Sequence, residues 1–400
     1  MFTPVTRVLT AVAVAATFAA PASASLASVH HGVRPPMLYV LNAYFSSAEF
    51  STVAVVNATT GAFIKSIRVE SNASDIALAP NRKTVYVISP NCGACMLASR
   101  SGPSLLGTVT PISTASNKAQ KPIMAIASTI AITRDSRTAY VATCCSPVAG
   151  DYDFITPLNL VTGKRGKTIK VGSGPSDLAI TPNGRTLYVS SVENFRKDGA
   201  VTPVNIATGK AGKAVRVGAS PGNIAITPGS RFAYVANNGS GTVTVIRVAT
   251  NTAIKQIKTG AGPDVIAITP NGRVAFISNQ GARTVTAIST VTNKVIKQIN
   301  VGRGPGSIAI TPDGRTAYVA VGNAVVPIRI ATDTALKPIK VRVPLSAIAI
   351  TPDGKTVWVT GGCTVSTTTR GWVIAISTAT NTIGPSLKVG VCPNGLVIAP

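Results

Sequence analysis

Four hundred residues, 45% hydrophobic and only 13% charged, exclude a disordered chain and supply enough apolar surface for a large core. The formal charge of +25 excludes an acidic protein and favours anionic partners. Past the N-terminus no apolar run approaches the ~20 residues of a spanning helix, so no membrane span is expected.

In chain order, residues 1–24 read as a secretion signal: Arg7, an apolar run from Val8 to Ala20, and the small residues Ala22-Ser23-Ala24 at a cleavage site. We expect a mature chain starting near Ser25, a leader over 25–36, and a secreted protein that is either released or held at the cell surface. The leader holds His30 and His31, the only histidines. The body beyond it therefore offers no imidazole as general base or metal ligand.

From residue 37 to 400 one pattern repeats. Its clearest copy is IAITPDGRTAYVA at 308–320: short apolar strand, Pro-Asp-Gly turn, second strand. The first strand recurs at 76–80, 129–134, 178–182, 224–228, 266–270, 348–352 and 396–400. The aromatic of the second falls at Tyr39, Tyr86, Tyr140, Tyr188, Tyr234, Phe276, Tyr318 and Trp358. Each unit adds a TVTPI-like strand and a KPIKVG-like strand, separated by a Thr-Asn, Thr-Gly or Thr-Asp turn, as at Thr250-Asn251, Thr162-Gly163 and Thr332-Asp333. Four strands per unit of roughly 40–50 residues predict an all-β chain, a β-propeller of four-stranded antiparallel blades. The count gives eight blades, with seven as the alternative. The body enters at a second strand (37–42) and leaves at a first strand (396–400), so the C-terminal strand should complete the N-terminal blade.

The motif YVAN at 234–237, with YVIS, YVAT, YVSS, YVAV, FISN and WVTG as variants, resembles the YVTN-repeat (YncE-like) β-propeller family. The resemblance covers about residues 37–400 and implies a fold. It implies no particular activity, because such propellers host many. Seven blades are the commoner number in that family. Its members that are lyases, lactonases or metal-dependent oxidases draw on groups such as histidine, which this body lacks.

Labelling the strands A to D outward from the axis, B→C and D→A connections should emerge on one face, A→B and C→D turns on the other. The B→C connections are long in units one to four and eight, and short in five to seven, so the insertions cover one arc of one face. Aromatic residues gather there: Tyr44, Phe45, Phe50, Tyr152, Phe154, Phe195 and Trp372, beside Arg370. So do the acids Glu49, Asp151, Asp153, Glu193 and Asp198. Loops on a rigid scaffold are where binding residues concentrate, although aromatics also staple long loops. Asp151 and Asp153 offer oxygen ligands for a cation such as Ca²⁺, or simply a solvated turn. A pair such as Asp151 with Glu193 is the remaining route to a lyase or hydrolase. A polar set ahead of the A strands, Asp75, Thr129, Asp177, Asn223 and Ser307, with Asp264 one place earlier, should ring the channel mouth. It either meets a ligand or bonds neighbouring backbone.

Cys92, Cys95, Cys144, Cys145, Cys363 and Cys392 are disulfide candidates in an exported chain, with free or metal-binding thiols as the alternative. Met96 follows the CGAC at 92–95, so c-type haem attachment is not expected. Cations recur in the A→B turns (Arg137, Arg185, Arg231, Arg273, Arg315, Lys355) and on the D strands (Lys65, Lys121, Lys170, Lys213, Lys255, Lys297, Lys340). Edge lysines block sheet aggregation, and the summed field attracts anionic polymers such as cell-wall polymer or nucleic acid. The expectation is a monomeric, non-catalytic scaffold binding a protein or glycan partner through its long loops. No cofactor or metal is expected.

Overall fold

The computed structural model describes residues 34–43, 50–90, 107–125, 127–142, 154–194, 198–362 and 370–400. Eight antiparallel sheets follow one another along the chain. Blade 5 shows the unit: A is Pro221–Ile226, B Phe232–Asn237, C Thr242–Arg247 and D Thr252–Lys258. The A strands of neighbouring blades pack on one another. B and C are almost wholly buried, while D is exposed along most of its length. No described helix is long and apolar enough to cross a membrane.

The ring closes as the pattern requires. Pro393–Ala399 pairs antiparallel with Met37–Asn42, placing Leu38 opposite Ile398, Tyr39 opposite Val397 and Val40 opposite Leu396. Blade 1 is thus built from both ends of the chain, and the alternative of seven blades is set aside.

Two details depart from the sequence reading. The D strand is broken in blades 2, 4 and 7, as Lys118–Ala119 with Ile123–Met124, Lys210–Ala211 with Val215–Val217, and Thr334–Ala335 with Ile339–Lys340. Pro122 and Pro338 sit in two of the breaks, where a residue without an N–H cannot continue the ladder. In blade 4, the long B→C connection is mostly strand. Thr186–Asn194 and Asp198–Asn205 extend their pairing out to Asn194 and Asp198.

The core lies between blades rather than within them. One cluster joins Tyr39, Val53 and Ile67 of blade 1 to Ile76, Val85 and Ile112 of blade 2. Another joins Trp358 and Val373 of blade 8 to Val40, Ala54 and Leu396 of blade 1. The repeating aromatic is the spoke of each interface, because it reaches the C→D turn of the following blade. The hydroxyl of Tyr188 donates to Asn251 Oδ1 at 2.5 Å, that of Tyr234 to Asn293 Oδ1 at 2.5 Å and that of Tyr318 to Asn381 Oδ1 at 2.8 Å. Tyr39 donates to Asn117 in the same way. These asparagines hold left-handed backbone, with φ of 51–56°, a conformation Asn tolerates well. Where the aromatic is Trp358, the receiving turn has Gly61, and the indole N–H donates to Ala58 O at 3.0 Å.

Blade 6 breaks this pairing. Its aromatic is Phe276, packed against Ile328 and Ala335 of blade 7, whose turn carries Asp333 at φ 48°. Phenylalanine has no hydroxyl to give, and Asp333 Oδ1 is buried without a hydrogen-bond partner. Burial pushes this carboxyl above its usual range, opposed by Lys297. Phe276→Tyr should therefore stabilise the protein by about 1.5–3 kcal/mol at neutral pH, the net worth of a hydrogen bond to a charged acceptor. Urea unfolding at pH 7 measures this, and an unchanged midpoint would show that the new hydroxyl does not reach Asp333.

Candidate functional site

The D→A connections and the B→C connections lie on the same face, so the mouth of the axial channel and the elaborated arc share one side. At the mouth, side chains just ahead of the A strands link blade to blade. Asp177 in blade 4 accepts from Ile224 N of blade 5 at 2.7 Å and from Asn223 Nδ2 at 3.2 Å. Asn223 in turn accepts from Ile266 N of blade 6 at 3.0 Å. Ser176 donates to Pro221 O at 2.8 Å, and Ser307 of blade 7 donates to Ser346 O of blade 8 at 3.3 Å. For Asp177 and Asn223 the backbone-bonding reading is the one observed. Asp264, in blade 6, begins one place earlier in its strand than the others.

The arc formed by blades 1 and 2 differs. Asp75 accepts from its own neighbour, Ile76 N, at 2.8 Å and bonds to no other blade among the described residues. Beside it in the fold, Ser74 Oγ and, on the closing strand, Asn394 Oδ1 are buried with no hydrogen-bond partner. Burial in the narrow mouth lifts the Asp75 carboxyl to about 7, helped by the charge of Asp177 and opposed by Ile76 N–H. Asp177 rises to about 6 for the same main reason, held back by its bonds to Ile224, Leu178 and Asn223.

The outer part of the face carries a second feature. At or near the start of three C strands an aromatic residue faces a cation of the D strand. Arg68 stacks on Phe50 of blade 1, its guanidinium carbon 3.2 Å from the ring centre. Lys388 lies 5.3 Å from the ring of Trp372 in blade 8 and opposes it in register. Phe154 of blade 3 opposes Lys170. Phe50 is 43% exposed, whereas Trp372 and Phe154 are half-buried, and Arg370 is exposed at the start of its strand. Sequence reading located these aromatics and placed Lys170 on a D strand, but not the pairings, because each partner sits one strand away at a distance set by the hairpin.

Tyr44, Phe45, Asp151, Tyr152, Asp153 and Phe195 lie outside the described residues, as do Cys92, Cys95, Cys144, Cys145 and Cys363. Glu193 is placed by its backbone alone, near the tip of the blade 4 hairpin. Cys392, at φ 44° immediately before the closing strand, is disulfide-bonded. Among the described residues no group of three His, Cys, Asp or Glu side chains is arranged to hold a metal ion.

With this geometry in place, the comparisons are informative. A model of the family described as lactonase, 7-bladed beta-propeller matches residues 161–361, half of the chain. The chain belongs to this lactonase family. This lactonase-family member has eight blades, one more than the family description states. No curated protein matches it in sequence. Among solved structures it is similar to dihydro-heme d1 dehydrogenase NirN in complex with DHE, at TM-score 0.71 and 13% identity over 90% of this chain and 74% of that one. Kuenenia stuttgartiensis hydrazine synthase aligns at TM-score 0.56 and 16% identity, covering 79% and 95%. A functionally unknown protein from Desulfotomaculum acetoxidans DSM 771 aligns at 0.57 and 15%, covering 92% and 99%. Identities this low establish a shared fold alone.

Proposed function

We propose that this protein is an exported, disulfide-supported propeller that binds a protein or glycan partner through its elaborated face, without chemistry of its own. The observation that supports this most is the row of aromatic–cation pairs, Trp372 with Lys388, Phe50 with Arg68 and Phe154 opposite Lys170. They occupy the blades whose B→C connections are long. Flat aromatic surfaces stiffened by a stacked cation suit sugar rings and protein side chains alike. The signal at residues 1–24 supports export. The body without histidine and the engagement of Asp177 and Asn223 in inter-blade bonds support a role that is not catalytic.

The test is a triple variant, Phe50→Ala, Phe154→Ala and Trp372→Ala, screened beside the wild type on a glycan array and against native envelope proteins. Binding to the same partner should fall at least about tenfold, which is about 1.4 kcal/mol, with a thermal midpoint lowered only a little. Retained binding by the variant removes the reading.

A second reading rests on family membership together with Asp75. A carboxyl that titrates near neutrality, beside buried polar groups without partners, is suited to taking a proton from water attacking a lactone. Its test shares a variant with a stability prediction in the Discussion.

A further inference from the structure

The face opposite the long loops has a feature of its own. Each A→B turn there is fastened internally, and in five blades a Thr and an Asp or Asn side chain do this together. In blade 7, Thr311 Oγ1 donates to Asp313 Oδ1 at 2.5 Å, and Arg315 N donates to the same oxygen at 3.0 Å. Blades 3, 6 and 8 repeat this through Asp135, Asn271 and Asp353, and blade 4 does so through Asn183. The bond to the backbone N–H of the basic residue fixes the turn, so its side chain points to solvent at an equivalent place in each of these blades.

The turns also touch one another. Asn81 N donates to Ser136 Oγ at 3.0 Å, and Asn183 N to Ser230 Oγ at 3.1 Å. Gly272 abuts Pro228 and Gly354 abuts Pro312, each leaving little room for a side chain, and Gly314 is in ordinary contact with Pro270. The seven turns form one annulus around the lower mouth of the channel. Lys83, Arg137, Arg185, Arg231, Arg273, Arg315 and Lys355 project from it, all exposed, with Arg315 at 87%. Three acids, Asp135, Asp313 and Asp353, share the annulus, but threonine hydroxyls and backbone N–H groups already engage them and hold their carboxyls below the usual range.

We propose that this annulus is a binding surface for an acidic polysaccharide, separate from the aromatic rim on the other face. Five of these seven cations are arginine, and the blade 2 and blade 3 turns add exposed Arg82 and Arg134; the planar fork of arginine bonds carboxylate and sulfate in pairs. The arginines are carried on turns that are already ordered, so binding orders side chains only. The turns offer Pro, Gly, Asn, Asp, Ser and Thr around these cations; among the described residues the one ring beside them, Phe232, is half-buried with Arg231 5.4 Å from its centre, so no fully exposed ring is left for nucleobases to stack on. That argues for a polyanion without bases. The outer D strands carry as many lysines, but strung along eight separate edges, and this difference makes the proposal testable.

Binding of a polygalacturonate oligomer is measured by calorimetry across a salt series, with dextran as the uncharged control. The ring variant replaces Arg185, Arg231, Arg273 and Arg315 by Ser. The matched variant replaces Lys121, Lys213, Lys255 and Lys340 by Ser, removing the same charge from the outer edges. Wild-type affinity should fall linearly with salt on logarithmic axes, and the ring variant should lose at least about tenfold at low salt, the matched variant less than about threefold. Thermal melts of both variants establish that they fold. Equal losses would reduce the effect to net charge, and absent binding would end the proposal. Tighter binding of a duplex oligonucleotide than of polygalacturonate would reassign the annulus to nucleic acid.

Discussion

A chain ending after Cys392 should not fold cooperatively. The strand it lacks supplies the inner position of blade 1, with every residue from Met37 to Asn42 paired to it. Leu396 and Val397 are 1% and 4% exposed and belong to two different inter-blade cores. Emptying one such buried site costs roughly 2–5 kcal/mol, while a whole domain is held by about 5–15 kcal/mol. Losing the strand removes several sites and leaves two blade faces in water. Thermal melting followed by circular dichroism should show no sharp transition, with aggregation through the bared edge of Met37–Asn42. Adding a peptide of residues 391–400 should restore it by strand addition. A truncated protein that melts like the wild type would mean that the ring is held closed elsewhere.

Asp75→Asn combined with Asp177→Asn should stabilise the protein above pH 7 and leave it nearly unchanged at pH 4. Both carboxyls titrate higher in the fold, at about 7 and about 6, than the ordinary 3.8. The folded state therefore binds more protons than the unfolded state between those limits, and stability falls as pH rises from about 4 to about 7. At about 1.4 kcal/mol per unit, the variant should gain a few kcal/mol by pH 8, reduced by the solvent that reaches the mouth. The turn acids Asp135, Asp313 and Asp353 shift the other way and act only below their ordinary range, outside this window. Urea midpoints of variant and wild type compared from pH 4 to 8 measure the difference. A constant difference across that range would rule out titration at the mouth. Asp75→Asn alone decides the lactone-hydrolysis reading: a lactone panel should show wild-type turnover rising through pH 7 and lost in the variant. No turnover by the wild type removes that reading.

Most of the architecture could be read before any coordinates, because a repeat exposes its own period. Eight aromatics and eight copies of the A strand gave the blade count, and the two incomplete ends gave the closure. What one unit could not show is what its residues do for the next. Tyr234 looks like a core residue of its own strand, yet its hydroxyl is spent on Asn293, 59 residues on. Asp177 reads equally as a ligand contact or as a bond to neighbouring backbone, and Ile224 N, 47 residues on, decides for the second. The blade 4 hairpin was missed for a local reason: Glu193 and Asn194 carry no strand signal, and pairing extends there because strands already in register continue outward. The lower annulus was half-visible, since its arginines were counted but the Ser136 and Ser230 links between turns join residues 55 and 47 apart.

The seam in blade 1 also sets an order of events. Blades 2 to 8 are consecutive hairpins, and each can zip as soon as its own residues have emerged from the ribosome. The first three strands cannot, since the fourth is made only after those seven blades. Until then they wait with one flank bare, and a crowded chain in that interval can borrow the missing strand from a neighbour. Interlocked pairs formed during rapid refolding are the expected by-product of a wheel fastened at its hub by its own tail.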